Sequence, residues 1–184
     1  MRRLFTALAL VASLGFAVSG SAAQEDARLD ELFERLKITG DPVEGRGLTS
    51  EIWSIWLWSD DESVDRLMRK GIVAMAERDF ETALILFNAI VEEAPDFAEG
   101  WNKRATVHYL MGNYPASVSD VERTLALEPR HFGALSGLGL INMALGRDEV
   151  ALKAFEAALE VNPHLPGPKA NIEDIKRRLE GEAL

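Results

Sequence analysis

Three histidines are the side chains best suited to holding a metal or moving a proton, and each stands alone. His108 sits inside a helical stretch, while His131 and His164 follow prolines. A zinc site built on a helix needs two ligands about one turn apart, and no histidine has a second at that spacing. Ordinary packing or surface roles are expected for all three. The acidic run Asp60-Asp61-Glu62 lacks the glycine-centred spacing of a calcium loop. It reads as the start of a helix, with Ser59 and Ser63 as candidate caps and the acids favouring the positive helix end. Cysteine is absent, which excludes disulfides, thiolate metal sites and a lipid-bearing cysteine. No Gly-x-Ser-x-Gly, phosphate-loop or dinucleotide pattern occurs. Glu92, Glu93, Glu156 and Glu160 fit solvated helix faces. No catalytic residue, metal or cofactor is expected, and the chain reads as not an enzyme.

Charge narrows the partners. The formal net charge of −10 argues against nucleic acid, because neutralising phosphates takes a basic face. At the front, Arg2 and Arg3 precede an apolar core, Leu4 to Val18, and then the small residues Gly20-Ser21-Ala22-Ala23. That order is a secretory signal over residues 1–23, cleaved most simply after Ala23, and too short for a membrane span. Nothing after it could span a membrane. In a Gram-negative cell the processed protein is expected in the periplasm.

What positions these side chains is a repeat. Pro95, Pro129 and Pro163 are evenly spaced, and other positions keep the same step. Leu67, Trp101 and Leu135 are large. Gly71, Ala105 and Gly139 are small, as are Ala83, Ser117 and Ala151. Phe87, Val121 and Phe155 are apolar. Self-similarity at this period marks a solenoid of helix pairs. The units span 64–97, 98–131 and 132–165. The small residues let the two helices of each unit approach closely.

The flanks are helical too. Gln24 to Lys37 carries Leu29, Leu32, Phe33 and Leu36 on one stripe. A stop at Thr39-Gly40-Asp41-Pro42 and a glycine-containing loop through Gly47 are expected. Thr49 or Ser50 then caps a helix with Trp53, Trp56 and Trp58. Trp53 and Trp56 lie one repeat step before Phe87 and Ile90, so residues 24–63 read as a degenerate zeroth repeat. The tryptophans are expected to pack as core, with an exposed aromatic patch as the alternative. Residues 166–184 hold a capping helix from Lys169 to Glu180, with Ile172, Ile175 and Leu179 on one face and Gly181 as its stop.

These spacings resemble the tetratricopeptide repeat (TPR) family. The second unit carries the pattern as Trp101, Ala105, Gly112, Tyr114, Ser117 and Pro129. The third carries it as Leu135, Gly139, Gly146, Ala151, Phe155 and Pro163. The first has Arg78 where a turn glycine is usual. With its leader, the chain is similar to small periplasmic TPR proteins of Gram-negative bacteria. The resemblance implies an all-α, right-handed solenoid of antiparallel helix pairs: three TPR units, a degenerate N-terminal pair and a C-terminal capping helix. It also implies non-catalytic protein binding through a concave face lined by each unit's first helix. Carried over by position, that face is Met68, Ile72 and Met75, then Asn102, Lys103, Thr106, Tyr109 and Leu110, then Ser136, Leu140 and Met143. Its methionines could repack around varied partners, unless the N-terminal segment or terminal helix folds over them. Gly133 and Gly137 stand where a carboxylate-clamping TPR would have basic residues, so that mode is not expected. The expected partner is a protein or peptide of the cell envelope. Self-association through the tryptophan helix or the TPR faces is the alternative.

Overall fold

The structure, a computed structural model, describes residues 23–182. The expected leader lies, but for Ala23, outside them. A short 3-10 turn, Ala23–Glu25, leads into nine α-helices, with no strand among the described residues. They are α1 Arg28–Ile38, α2 Pro42–Trp56, α3 Glu62–Ala76, α4 Phe80–Glu93, α5 Ala98–Leu110, α6 Tyr114–Leu127, α7 Phe132–Ala144, α8 Asp148–Val161 and α9 Pro166–Glu182. Pairs α3–α4, α5–α6 and α7–α8 stack in sequence as a solenoid.

The close approach within each pair follows from matched volumes. The rings of Phe87 and Phe155 lie where a Cβ on Gly71 or Gly139 would stand, at 2.6 Å and 2.5 Å from it. In the middle repeat the smaller Val121 leaves room for Ala105. Its partner Ser117 donates its hydroxyl to the Ala105 carbonyl at 2.8 Å. Each pair thus trades one large side chain against one small one at the same crossing.

The turns inside the repeats use one backbone device. Arg78, Gly112 and Gly146 hold the same place in successive repeats and have φ of 64°, 75° and 69°. Glycine takes this left-handed conformation freely and other residues do so at a cost of about 1 kcal/mol or more. Among the described residues the exposed Arg78 side chain makes a stacking contact, its guanidinium 5.5 Å from the Phe80 ring centroid. Arg78→Gly is therefore expected to raise the unfolding free energy by roughly 0.5–1 kcal/mol, read as a higher urea midpoint at unchanged slope.

Helix starts differ from the sequence reading at three places. The start of α2 is Pro42, capped by the Asp41 carboxylate, which accepts from Val43 N at 2.8 Å. Thr49 and Ser50 are mid-helix, and the residues read as a loop through Gly47 are helical. Proline in the first turn and aspartate before it set that start. The cap of α3 is Asp61, not Ser59 or Ser63; Ser59 instead donates to the buried Asp65 carboxylate at 2.7 Å. The last helix begins at Pro166, ahead of Lys169, and runs past Gly181.

Ends and edges complete the fold. Helix α9 closes the far end of the stack with Ile175, fully buried against Phe155 and Ala151, and with Arg178 on Asp148 at 2.8 Å. Helices α1 and α2 form an antiparallel hairpin, but it does not take the place of a repeat ahead of α3. It lies along the edge made by the repeat-closing loops. Gln24 donates to the Asp96 carbonyl at 2.6 Å, Asp30 pairs with Arg130 at 2.7 Å, and Thr49 accepts from Asn162 at 2.9 Å. Gly45 is needed there, because the His164 ring would sit 2.4 Å from any Cβ. The apolar stripe of α1 joins Leu48, Ile52, Ile55 and Trp56 in one core closed by Phe132, Val161 and Leu165.

Candidate functional site

Helices α5 and α7, the first helices of the second and third repeats, run side by side. Between them lies a pocket of about 140 Å³. Of the eleven residues expected on the concave face, Asn102, Thr106, Tyr109, Ser136 and Leu140 line it, with Gly133 and Gly137 beside them. Its surface is mainly apolar, and its hydroxyls explain why. Thr106 donates to the Asn102 carbonyl at 2.9 Å and Ser136 to the Phe132 carbonyl at 2.7 Å, each to its own helix.

The two glycines meet different fates. A Cβ on Gly133 would stand 2.6 Å from Cη2 of Trp53, so the indole fills that notch. A Cβ on Gly137, one turn on, would meet nothing within 4 Å. The groove is thus half occupied by the chain's own hairpin and half open.

A buried polar network holds the occupied half. Glu99, 1% exposed, lies 2.8 Å from Lys103 Nζ, 2.9 Å from His131 Nε2 and 2.9 Å from the Asn102 amide nitrogen. His131 Nδ1 accepts from Ala134 N at 3.0 Å and caps α7. That leaves the proton on Nε2, pointing at the Glu99 carboxylate. Burial works against the Glu99 charge, but Lys103 and then the His131 hydrogen bond outweigh it and hold the carboxyl below the ordinary glutamate value. The His131 ring stacks on Trp56 with centroids 4.2 Å apart, and Lys103 Nζ sits 5.2 Å from the Trp53 ring centroid. Nothing in the sequence pattern pointed to this network. Its residues come from α5, the residue that caps α7 and the hairpin, and each alone fits a bland role.

The other expected groove residues go elsewhere. Met68 is 2% exposed and belongs to the seam of α3, α4 and α5, against Phe87, Phe97 and Val107. Ile72 and Met75 are half-buried beside the same seam. Met143 packs toward the Phe155–Ile175 cluster under α9, which Leu140 also touches from the pocket wall. Leu110 is exposed at the end of α5. A methionine-lined groove is therefore not what these helices present, because α3 turns Met68 inward to the seam it shares with α4 and α5. Trp53 and Trp56 likewise face inward; of the tryptophans in this stretch only Trp58 is exposed, its indole donating to Asp60 at 2.7 Å. A second polar group is structural: Arg104 forks onto Asp120 at 2.8 and 2.6 Å and reaches Asn88, tying α5 to α4 and α6. Burial holds the neighbouring His108 below its ordinary value, against the pull of Asp120. Among the described residues no three His, Asp or Glu side chains converge as metal ligands.

The profile of the tetratricopeptide repeat family matches residues 102–166. A TPR repeat-containing protein of Rhizobium etli is 41% identical over 136 residues, which cover 74% of this chain and 67% of that one. The chain belongs to the tetratricopeptide repeat family. A small glutamine-rich TPR-containing protein of Saccharomyces cerevisiae is 28% identical across 62% of this chain, which spans only 34% of the yeast protein. Among solved structures, the Sgt2 TPR domain from Aspergillus fumigatus matches with a TM-score of 0.63 and 25% identity over 67% of this chain and 83% of that one. The first TPR of Spaghetti (RPAP3), bound to an HSP90 peptide, shares the fold at a TM-score of 0.61 and 21% identity, covering 64% of this chain and 93% of that one. As a TPR protein the chain is a protein-interaction adaptor of a generally non-catalytic class. No helix among the described residues is long and apolar enough to cross a membrane.

Proposed function

We propose that this TPR protein is an exported, non-catalytic adaptor of the periplasm that receives an apolar peptide segment of a cell-envelope protein between α5 and α7, in support of envelope assembly or integrity. Export rests on the basic start, apolar core and small residues of 1–23. The groove reading rests on one observation: the pocket at Gly137 is open, mainly apolar and of a size for one aliphatic side chain. Tyr109 is one of the residues that line it. A C-terminal carboxylate is a poor occupant. Asn102 and Lys103 are already committed to Glu99, and Gly133 and Gly137 bring no cation. A segment laid along α5 with one Leu- or Val-like anchor uses what is present.

Gly137→Leu tests this without harming the fold. Leucine is a better helix former than glycine by up to about 1 kcal/mol, and its side chain fills the pocket. A photoreactive residue at Tyr109 is expected to capture an envelope protein in intact cells. In the Gly137→Leu chain that capture falls at least about tenfold, the equivalent of ~1.4 kcal/mol, while thermal stability is kept or raised. Capture undiminished by Gly137→Leu would refute the groove.

A further inference from the structure

A solenoid exposes an apolar face at each end unless something covers it. Here α9 covers the far end, and the hairpin that precedes the array lies on its loop edge instead of on its first repeat. Among the described residues nothing covers the outer face of α3 and α4. Val73 on α3 is 55% exposed and Leu86 on α4 is half-buried, and Ile85, next to Leu86 in the chain, is 68% exposed. A shallow depression of about 450 Å³ runs between the two helices, lined by both Val73 and Leu86. Exposed apolar side chains beside such a depression mark an interaction surface.

The charges around the patch say what covers it. Arg69 and Lys70 lie one helical turn before Val73, and Glu77 lies one turn after it. All three are exposed, and none has an ionic partner among the described residues. With a rise of 1.5 Å per residue, Lys70 and Glu77 stand at about 4.5 Å and 6 Å from Val73 along the axis, on opposite sides. Such a strip is complementary to itself when turned end for end.

We propose that the open α3–α4 face pairs with the same face of a second copy of this chain, about a two-fold axis crossing α3 at Val73. The α3 helices run antiparallel across the interface. Arg69 and Lys70 of each copy meet Glu77 of the other, and Val73 and Leu86 of both copies form its apolar centre, with Ile85 at its rim. The interface is isologous and closes at a dimer. It leaves the α5–α7 groove free in both copies, so it stands or falls apart from the groove reading.

The test is sedimentation over a wide concentration range, with the chain recovered after expression behind its own leader. A monomer–dimer equilibrium is expected. Val73→Asp raises its dissociation constant at least about tenfold with an unchanged circular dichroism spectrum, since Val73 is a surface residue. Glu77→Lys alone and the Arg69→Glu/Lys70→Glu chain alone are each monomers, because both set like charges against each other. Mixed, the two variants form a heterodimer. A wild-type chain that stays monomeric at every concentration, a dimer indifferent to Val73→Asp, or a mixture that fails to pair would overturn the proposal. So would a photoreactive probe at Ile85 that captures only the chain's own N-terminal residues or an unrelated protein.

Discussion

Glu99→Ala is expected to lower the unfolding free energy by about 3 kcal/mol, because truncating one member of a buried ion pair strands the others. Glu99 is 1% exposed and answers three donors: Lys103, His131 and Asn102. Alanine leaves all three pointing into an emptied space. The loss falls at the low end of the range for buried pairs because Lys103 is partly exposed and can turn to solvent. Glu99→Gln keeps the shape and one acceptor, and is expected to cost about 1–2 kcal/mol. Urea denaturation of the three chains at neutral pH reads these differences. A loss for alanine no larger than that of an ordinary surface substitution would show that the network contributes nothing.

The same group carries a pH dependence with a definite sign. The Glu99 carboxyl is held below its ordinary value of 4.5 in the fold. Its contribution is therefore complete above the ordinary value, and it is lost as the pH falls through the lowered one. Wild type is expected to lose stability below that ordinary value more steeply than Glu99→Gln, which has no charge to lose there. Equal acid slopes for the two chains would contradict the assignment.

Trp56→Ala is the other large effect, at about 3–5 kcal/mol for a buried aromatic cut back to alanine. Trp56 is 1% exposed and touches Phe33, Trp53, His131 and Phe132. It joins both helices of the hairpin to the start of α7. Losing it is expected to release the hairpin while leaving the stacked pairs intact, since those pairs hold separate clusters around Phe87, Val121 and Phe155. Hydrogen exchange resolves this: amides of α1 and α2 exchange faster, and those of α6 and α8 keep their protection. The notch at Gly133 then opens, because Trp53 leaves with the hairpin. Uniform loss of protection along the chain would mean that hairpin and repeats form one cooperative unit.

The repeat was legible because its signals are local and recur. A closing proline, a small residue opposite a large one and a left-handed turn are each dictated within one helix pair, so three copies announce themselves in phase. The pairs Gly71–Phe87, Ala105–Val121 and Gly139–Phe155 are written in the chain at constant spacing, and the structure places each across one crossing. The buried stripe of α1 and the terminal Ile175 were legible for the same reason: helical spacing alone marks a face as apolar.

Spacing does not say what that face meets. The hairpin's partners lie as far away in the chain as Asp30 from Arg130 and Thr49 from Asn162. No periodicity links such residues. Trp53 and Trp56 follow the repeat step, yet they pack on Phe132 and His131, with the Trp53 indole filling a notch at Gly133. Met68 stands where a groove residue belongs by position but closes the seam between α3, α4 and α5. Glu99, Lys103 and His131 are ordinary one by one and become a network only when the start of α7 folds back beside α5 and the hairpin seals them from water. The helices, their pairing and the array therefore follow from residue order, since each depends on neighbours within one repeat. Which faces are covered and which stay open follows from the folded chain, since that depends on contacts between elements whose sequences carry no mark of each other.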